Sequence, residues 1–359
     1  MVRLREIKIG QGIGEYQWSD EHADTIRMGV DLGMTLIDTC ESYNNGRSEE
    51  VVGKAIKGIR DKVTVLTKFN SKNSGYTDIK MAVEGSLKRL RTDYIDIYQM
   101  HWPSATISYN ETFAALIDLL KSGKVRSIGA GNALHIDDLE EMYNISDGRI
   151  TSYQIEYNLF DRWSETEFFP FCEDKNIKVI SYSPLDRGRM SNGSFQLGLL
   201  KDMANKYGVS ISQIVLNWMS TKHGTIPIPK STNKKHLISN AESISFKLDS
   251  LDIDKIDVEC VTKILKVNPH KIKVSLNGQD GKKVYTSIEE AIDNKLNLSP
   301  SPEELSHKLL GNKRIKPVRV IKINDKDYDY ELVEGRVRYW AWVIAKDNED
   351  ISVLVRENF

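Results

Sequence analysis

A short β-rich apolar run recurs eight times in the first 230 residues of this chain, at 7–9, 35–38, 63–67, 95–98, 127–130, 151–155, 178–182 and 225–228. Stretches with apolar residues at helical spacing lie between the runs, at 21–32, 48–56, 78–90, 111–120, 136–143, 164–174 and 212–220. Alternating strands and helices imply parallel pairing, because a helix is the natural crossover between parallel neighbours. Eight repeats favour closure into a (β/α)8 TIM barrel, class α/β. An open doubly wound sheet stays as the structural rival.

After Cys260 the texture changes: lysines, short strands and hairpin-like turns such as Asn277-Gly278 replace the regular alternation. The chain has 359 residues, enough for a barrel of about 250 and a further unit of about a hundred. The reading is therefore a barrel over residues 1–262 and a small α+β domain over 266–359. A net charge of −1 names no partner, and the mildly basic tail is too weakly charged to diagnose nucleic-acid binding. Three scattered cysteines, Cys40, Cys172 and Cys260, suggest neither a disulfide framework nor a metal site, and fit a reducing compartment. The first residues lack the apolar core of a signal peptide, and no apolar run approaches the ~20 residues that span a bilayer. The protein is expected to be cytoplasmic and without a membrane partner.

In such a barrel, polar residues at the C-terminal ends of strands point into the active site. Strand two ends in Asp38 and runs into a loop holding Tyr43, strand three ends in Lys68, and strand four ends in Gln99, Met100 and His101. The later strands lead to Asn132, Gln154, Tyr182 with Ser183, and Lys230 with Ser231. Each alone has a plainer reading: Asp38 as a cap, Lys68 as a solvated charge, His101 as a core histidine, Tyr43 as a loop aromatic. An acid, a lysine and a histidine ending three successive strands is harder to dismiss, since burying charge is costly unless it is paired.

Their joint chemistry suits carbonyl reduction. Hydride addition to a carbonyl carbon places negative charge on oxygen, which must receive a proton as it forms. Tyr43 can supply that proton if an ammonium nearby favours its phenolate. Lys68 fits that role, Asp38 would hold Lys68 charged and oriented, and His101 would donate a hydrogen bond to the carbonyl oxygen.

The stretches LIDTCESYNNGRSEEVVGKAI, VTVLTK, IDIYQMHWP, GKVRSIGAGN, YQIEYNLF, ISYSPL and IPIPKS resemble the aldo-keto reductase superfamily in order and spacing, over about residues 1–262. The resemblance implies a (β/α)8 barrel, a small-molecule carbonyl substrate, NADPH as the usual hydride donor, and a catalytic tetrad at Asp38, Tyr43, Lys68 and His101. It also implies cofactor contacts. Asn132 and Gln154 would meet the nicotinamide carboxamide, Tyr182 its ring, Ser183 and Leu185 the pyrophosphate, Lys230, Ser231 and Asn233 the adenosine phosphate, and Asn240 the adenine. A cation at the adenosine phosphate favours NADPH over NADH.

Two departures bear on this. Gly131 stands where the family often has serine, and His236 where it often has arginine, so NADH stays open as a donor. The family's long C-terminal loop is not evident either. Tyr16, Trp18 and Trp102 are candidates for an apolar substrate pocket, with plain barrel packing as their alternative.

In the tail, SPSPEELSHKLLGNKRIKPVRVIKI and YELVEGRVRYWAWVIA resemble the ParB/sulfiredoxin-like superfamily. That resemblance implies an anion site at Gly335, Arg336 and Arg338, for a nucleotide or nucleic acid; a solvated basic turn is the alternative. Gly335-Arg336-Val337-Arg338 departs from the common Gly-Glu-Arg-Arg, which puts triphosphate hydrolysis in doubt. No cysteine follows Cys260 to support sulfiredoxin chemistry. Tyr339, Trp340 and Trp342 are expected to pack the small domain. The fusion leaves a second function open: a nicotinamide-redox-sensing regulatory module whose tail binds nucleotide or DNA.

Overall fold

Eight parallel strands succeed one another around a single sheet in sequence order. They are β1 (Gly10–Gly12), β2 (Leu36–Asp38), β3 (Thr64–Phe69), β4 (Ile97–Met100), β5 (Ile128–Gly131), β6 (Ile150–Glu156), β7 (Lys178–Tyr182) and β8 (Ile226–Pro227). The computed structural model describes residues 4–356 apart from 15–17, 105, 134, 192–194, 223, 276–284, 299, 310–314 and 348. The Gly12 N–H donates to the Pro229 carbonyl at 3.2 Å, bringing the first strand against the end of the last. The helices between strands are α1 (Ala23–Asp31), α2 (Arg47–Ala55), α3 (Tyr76–Leu90), α4 (Tyr109–Lys121), α5 (Ile136–Ile145) and α6 (Phe168–Asp174). Four more follow: α7 (Phe195–Tyr207), α8 (Ile211–Ser220), α9 (Lys234–Glu242) and α10 (Ser250–Glu259).

Local chemistry sets the helix limits. Ser108 accepts from the Glu111 N–H to start α4, and Ser210 and Gln213 form a reciprocal capping box on α8. The helix α3 buries Ile79, Val83, Leu87 and Leu90, spaced to share one face, and ends where Arg91 turns left-handed at φ 55°. Trp218 of α8 donates its N–H to Asp257 of α10 at 2.9 Å, and Lys222 and Arg162 pair with the same aspartate. That network fastens α10 to the barrel wall.

The first strand sits at Gly10–Gly12, not at the apolar run 7–9. Close neighbours explain the shift. A Cβ at Gly10 would lie 2.9 Å from the Leu36 carbonyl oxygen, and one at Gly12 would lie 2.7 Å from that of Ile228. Only glycine lets the chain run between β2 and β8 at this spacing.

Inside the barrel, side chains alternate at period two, so a strand that buries an aliphatic residue at one level presents a polar one two residues later. Leu36, Leu66, Ile97, Ile180 and Ile226 form an apolar plug, and Asp38, Lys68, Gln99 and Tyr182 follow at i+2 on the first four strands of that set. The register places Lys68 beside Gln99 and Gly131 beside Gln154.

The residues divide into two compact units, Met1–Pro103 with Ile107–Val261, and Thr262–Phe359 with Ser104–Thr106. The second unit carries β9 (Ile264–Val267), β10 (Ile272–Lys273), β11 (Val318–Lys322), β12 (Tyr330–Glu334) and β13 (Ile351–Arg356) in one sheet of order β10-β12-β11-β13-β9. Its helices are α11 (Ile288–Ile292), α12 (Pro302–Lys308) and α13 (Arg336–Lys346). The pair β11–β12 is antiparallel, whereas β11 and β13 are parallel, with α13 on the connection leading into β13. Tyr339, Trp340 and Trp342 are buried, and the two indole N–H groups donate to the carbonyls of Tyr285 and Glu349. They pack this unit's core. Among the described residues, no helix is long and apolar enough to cross a membrane.

The close approach at β1 sets a test. Gly12→Ala is expected to lower the unfolding free energy by about 1–3 kcal/mol, because the new methyl overpacks against backbone. Gly14→Ala, whose Cβ would have nothing within 4 Å, should leave stability nearly unchanged. Urea titration of the two variants checks this.

Candidate active site

Asp38, Tyr43, Lys68 and His101 converge at the C-terminal ends of β2, β3 and β4. The Lys68 ammonium lies 2.7 Å from Asp38 Oδ1 and donates to the Thr39 carbonyl at 2.7 Å, and both side chains of the ion pair are almost completely buried. Asp38 Oδ1 also accepts from Gln154 Nε2 at 2.9 Å, and Gln154 Oε1 accepts from Gln99 Nε2 at 2.7 Å. A buried chain of amide, carboxylate and ammonium thus crosses the barrel from β4 and β6 to β2 and β3. Burial pushes the Asp38 carboxyl above the usual carboxylate range, and the pull of the adjacent Lys68 ammonium and its hydrogen bonds does not cancel it.

Tyr43 stands on the loop after β2, half-buried, with its ring centroid 5.0 Å from the Lys68 nitrogen. Its hydroxyl is 3.4 Å from His101 Nε2, and the two rings meet edge-on at 89°. Behind the imidazole, Nδ1 lies 3.4 Å from the Cys40 sulfur, which is 3.0 Å from the Ser42 hydroxyl. Burial raises the Cys40 thiol to about 11, so it keeps its proton at neutral pH. Burial, and then the Lys68 charge, lower His101 to about 3. The imidazole is therefore neutral at neutral pH, a hydrogen-bonding group and not a cation.

The remaining rim residues tie strands together. Asn132, left-handed at φ 54°, donates from Nδ2 to the His101 carbonyl at 2.9 Å and accepts from the Tyr182 hydroxyl at 2.9 Å. Ser183 is also left-handed, at φ 52°, and its carbonyl accepts from Asn158 Nδ2. Leu185 is half-buried and packs against the barrel's apolar clusters. Further along, Asn233 caps α9 by accepting from the N–H groups of Lys235 and His236, and Ser231 Oγ accepts from the Asn233 N–H. Asn240 is buried on α9.

Trp18 belongs to the core at 3% exposure, its N–H donated to the Gly14 carbonyl at 2.8 Å. Trp102, 41% exposed, lies with its ring 6.3 Å from that of His101. Tyr16 lies outside the described residues, as does the Asn277-Gly278 turn. In the second unit, Gly335 at φ 100° leads into α13 with Arg336 at its first position, while Arg338 donates to the carbonyls of Lys316 and Pro317 at 2.8 Å each.

Sequence reasoning passed over three contributors: the Thr39 carbonyl that fixes Lys68, the Cys40 thiol behind His101, and Gln99 as the support of Gln154. The first two leave no trace in residue type, since a backbone acceptor and a lone cysteine carry no pattern. Gln99 was visible as a strand-end residue, but its partner was not.

The residue set also suits a dinucleotide. Lys230, shortly before α9, and Lys234 and Lys235 in its first turn are exposed cationic side chains of a kind that can pair with phosphate. On the rim, Asn132 bonds the His101 carbonyl and the Tyr182 hydroxyl, and Gln154 bonds Asp38.

The chain matches the model of the Aldo/keto reductase family over residues 8–259. It belongs to that family. Among its relatives are the Escherichia coli methylglyoxal reductase YeaE, 36% identical over 234 residues, covering 65% of this chain and 82% of the relative, and the Bacillus subtilis glyoxal reductase, 32% identical over 251 residues, covering 69% and 87%. Among solved structures, an aldo/keto reductase from Klebsiella pneumoniae in complex with NADP and acetate superposes with a TM-score of 0.66 at 34% identity, over 70% of this chain and 90% of that one. As a member of the aldo/keto reductase family, the chain carries its eight-stranded barrel in the first unit.

The low pKa of His101 has a measurable consequence. Because the folded value lies below the ordinary one of 6.5, the group's contribution to stability is complete above about pH 6.5 and is lost as pH falls toward 3. Imidazole NMR signals of His101 should stay those of the neutral ring from pH 8 down to about 4.5. The unfolding free energy should also fall less steeply between pH 6 and 4 in His101→Gln than in the parent.

Proposed function

We propose that this chain is an NADPH-dependent aldo/keto reductase that reversibly reduces an aldehyde or ketone to the alcohol, with small 2-oxoaldehydes as the class to try first. The observation that carries the reading is the convergence of the Tyr43 hydroxyl and His101 Nε2, 3.4 Å apart, beside the buried Lys68–Asp38 pair. The YeaE and glyoxal reductase relatives, named for methylglyoxal and glyoxal, support the substrate class, and the NADP complex of the Klebsiella relative supports the donor.

NADPH, when bound, supplies the hydride. The protein's own groups handle the oxygen. His101, neutral, offers an N–H from Nε2 to the carbonyl oxygen and polarises it without competing for the proton. Tyr43 gives its phenolic proton to that oxygen as the carbon–hydrogen bond forms, leaving a phenolate that water reprotonates. Lys68, held by Asp38 and the Thr39 carbonyl, stabilises the phenolate by charge, and Asp38 keeps that ammonium from turning away.

Asn132, Gln154, Tyr182, Ser183 and Leu185 would hold the nicotinamide half. Both amides already bond within the rim, so they meet a carboxamide with their second N–H or second lone pair. Lys230, Ser231, Asn233 and Asn240 would hold the adenosine half. The C-terminal unit we assign to the ParB/sulfiredoxin-like class; the order β12, left-handed Gly335, α13 supports it, with Gly335 and Arg336 as the anion-facing end. Arg338, bonded to two main-chain carbonyls, secures the β11 approach in that arrangement. We place the protein in the cytoplasm, where free cysteines such as these persist.

Stopped-flow oxidation of NADPH with methylglyoxal and a panel of aldehydes tests the reading. Tyr43→Phe should lower kcat by about 10²–10⁴-fold with the KM for the carbonyl little changed; full activity in that variant would remove Tyr43 from the mechanism. Lys230→Met should raise the KM for NADPH by about tenfold or more while leaving that for NADH nearly unaltered.

A further inference from the structure

Tyr43 is followed by three successive left-handed residues, Asn44 at φ 52°, Asn45 at φ 53° and Gly46 at φ 86°. Asn and Gly adopt that region more readily than other residues, but as single positions, so a run of three draws on its surroundings. The surroundings here centre on one carboxylate. Glu49, in the first turn of α2 and fully buried, accepts from the Thr67 hydroxyl at 2.6 Å on one oxygen and from Arg89 Nε at 2.6 Å on the other. Thr67 immediately precedes Lys68 on β3. Arg89, from α3, runs directly across the turn: a Cβ at Gly46 would lie 2.6 Å from its Cδ and 2.9 Å from its Nε. Its Nη2 donates to Ser86 at 3.3 Å.

We infer that Glu49 and Arg89 are positioning residues for the proton donor, a clamp that locks the left-handed turn carrying Tyr43 to the strand carrying Lys68; this rests on the reductase reading above. The argument is geometric. The phenol and the ammonium come from different loops and strands, and their separation is fixed only if the turn cannot slide along β3. A single buried carboxylate bonds to the strand through Thr67, to the helix that continues the turn through its own backbone, and to the arginine stem that lies over Gly46. Gly46 has no side chain at the one place where Arg89 must pass, so the turn's conformation and the clamp's path require the same residue type.

A purely structural ion pair would affect stability alone, whereas a clamp on the proton donor affects the chemical step. In the full chain, Thr67→Val removes one hydrogen bond at nearly constant shape, and Arg89→Lys keeps the charge while losing the Nε bond and the fit over Gly46. Each is expected to lower kcat by about fivefold to fiftyfold, with KM for the carbonyl and NADPH affinity, read from cofactor fluorescence, within about twofold of the parent. The alkaline limb of the kcat–pH profile should move as well. A kcat within about twofold of the parent in either folded variant, with only the melting temperature lowered, would overturn the clamp. Should Arg89→Lys fail to fold, Thr67→Val decides alone. Tyr43→Phe measured alongside separates the two levels: if it retains full activity, the reductase mechanism falls and the clamp has no donor to position.

Discussion

A lysine ammonium and an aspartate carboxylate, 2.7 Å apart and shut away from water, are the constraint around which the barrel's upper rim is arranged. Taking either charge inside alone would cost several kcal/mol, so each requires the other and both require further hydrogen bonds. The Thr39 carbonyl and the Gln154 amide supply them, and Gln99 in turn supports Gln154. Burial above all, and then the neighbouring Lys68 charge, keep His101 uncharged. Beside that pair stand the neutral imidazole of His101 and the phenol of Tyr43, 3.4 Å apart.

The apolar plug and the polar rim are two levels of one pattern. A strand with period-two side chains cannot bury leucine at one level without pointing its i+2 residue the same way. Leu36 and Asp38, Leu66 and Lys68, Ile97 and Gln99 show that the aliphatic layer which stabilises the barrel also aims the polar groups of the rim. Close packing below makes the geometry above stiff. The second unit is built on other lines, with a mixed sheet and its aromatic residues turned into its own core.

Much of the barrel, and the grouping of Asp38, Tyr43, Lys68 and His101 at its rim, was legible in the sequence. The eight apolar runs located the strands because a parallel sheet covered by helices needs near-continuous aliphatic character. Strand β4 begins two residues later than its run, and β1 alone falls wholly outside its run, since its place is decided by the closeness of β2 and β8, which favours glycine over any β-forming residue. The four residues Asp38, Tyr43, Lys68 and His101 were legible because polar groups at strand ends are exceptional in an apolar setting. Trp18 shows the opposite limit: an aromatic near the rim reads alike as pocket lining or as core, and burial with an N–H bound to Gly14 distinguishes them only in three dimensions.

The order and spacing of residue types by themselves determined that strands and helices would alternate and which side chains would stand at the strand ends, and favoured a barrel over an open sheet, because these depend on periodicities of two and 3.6 residues that need no distant partner. Tertiary structure alone decided how those side chains bond. The thiol of Cys40 reaching His101, the carboxylate of Glu49 joining Thr67 to Arg89, and the glutamine pair reaching Asp38 link residues from 18 to 116 positions apart. Contacts at such separations depend on the register of parallel strands and the path of loops, and short-range patterns carry no record of either.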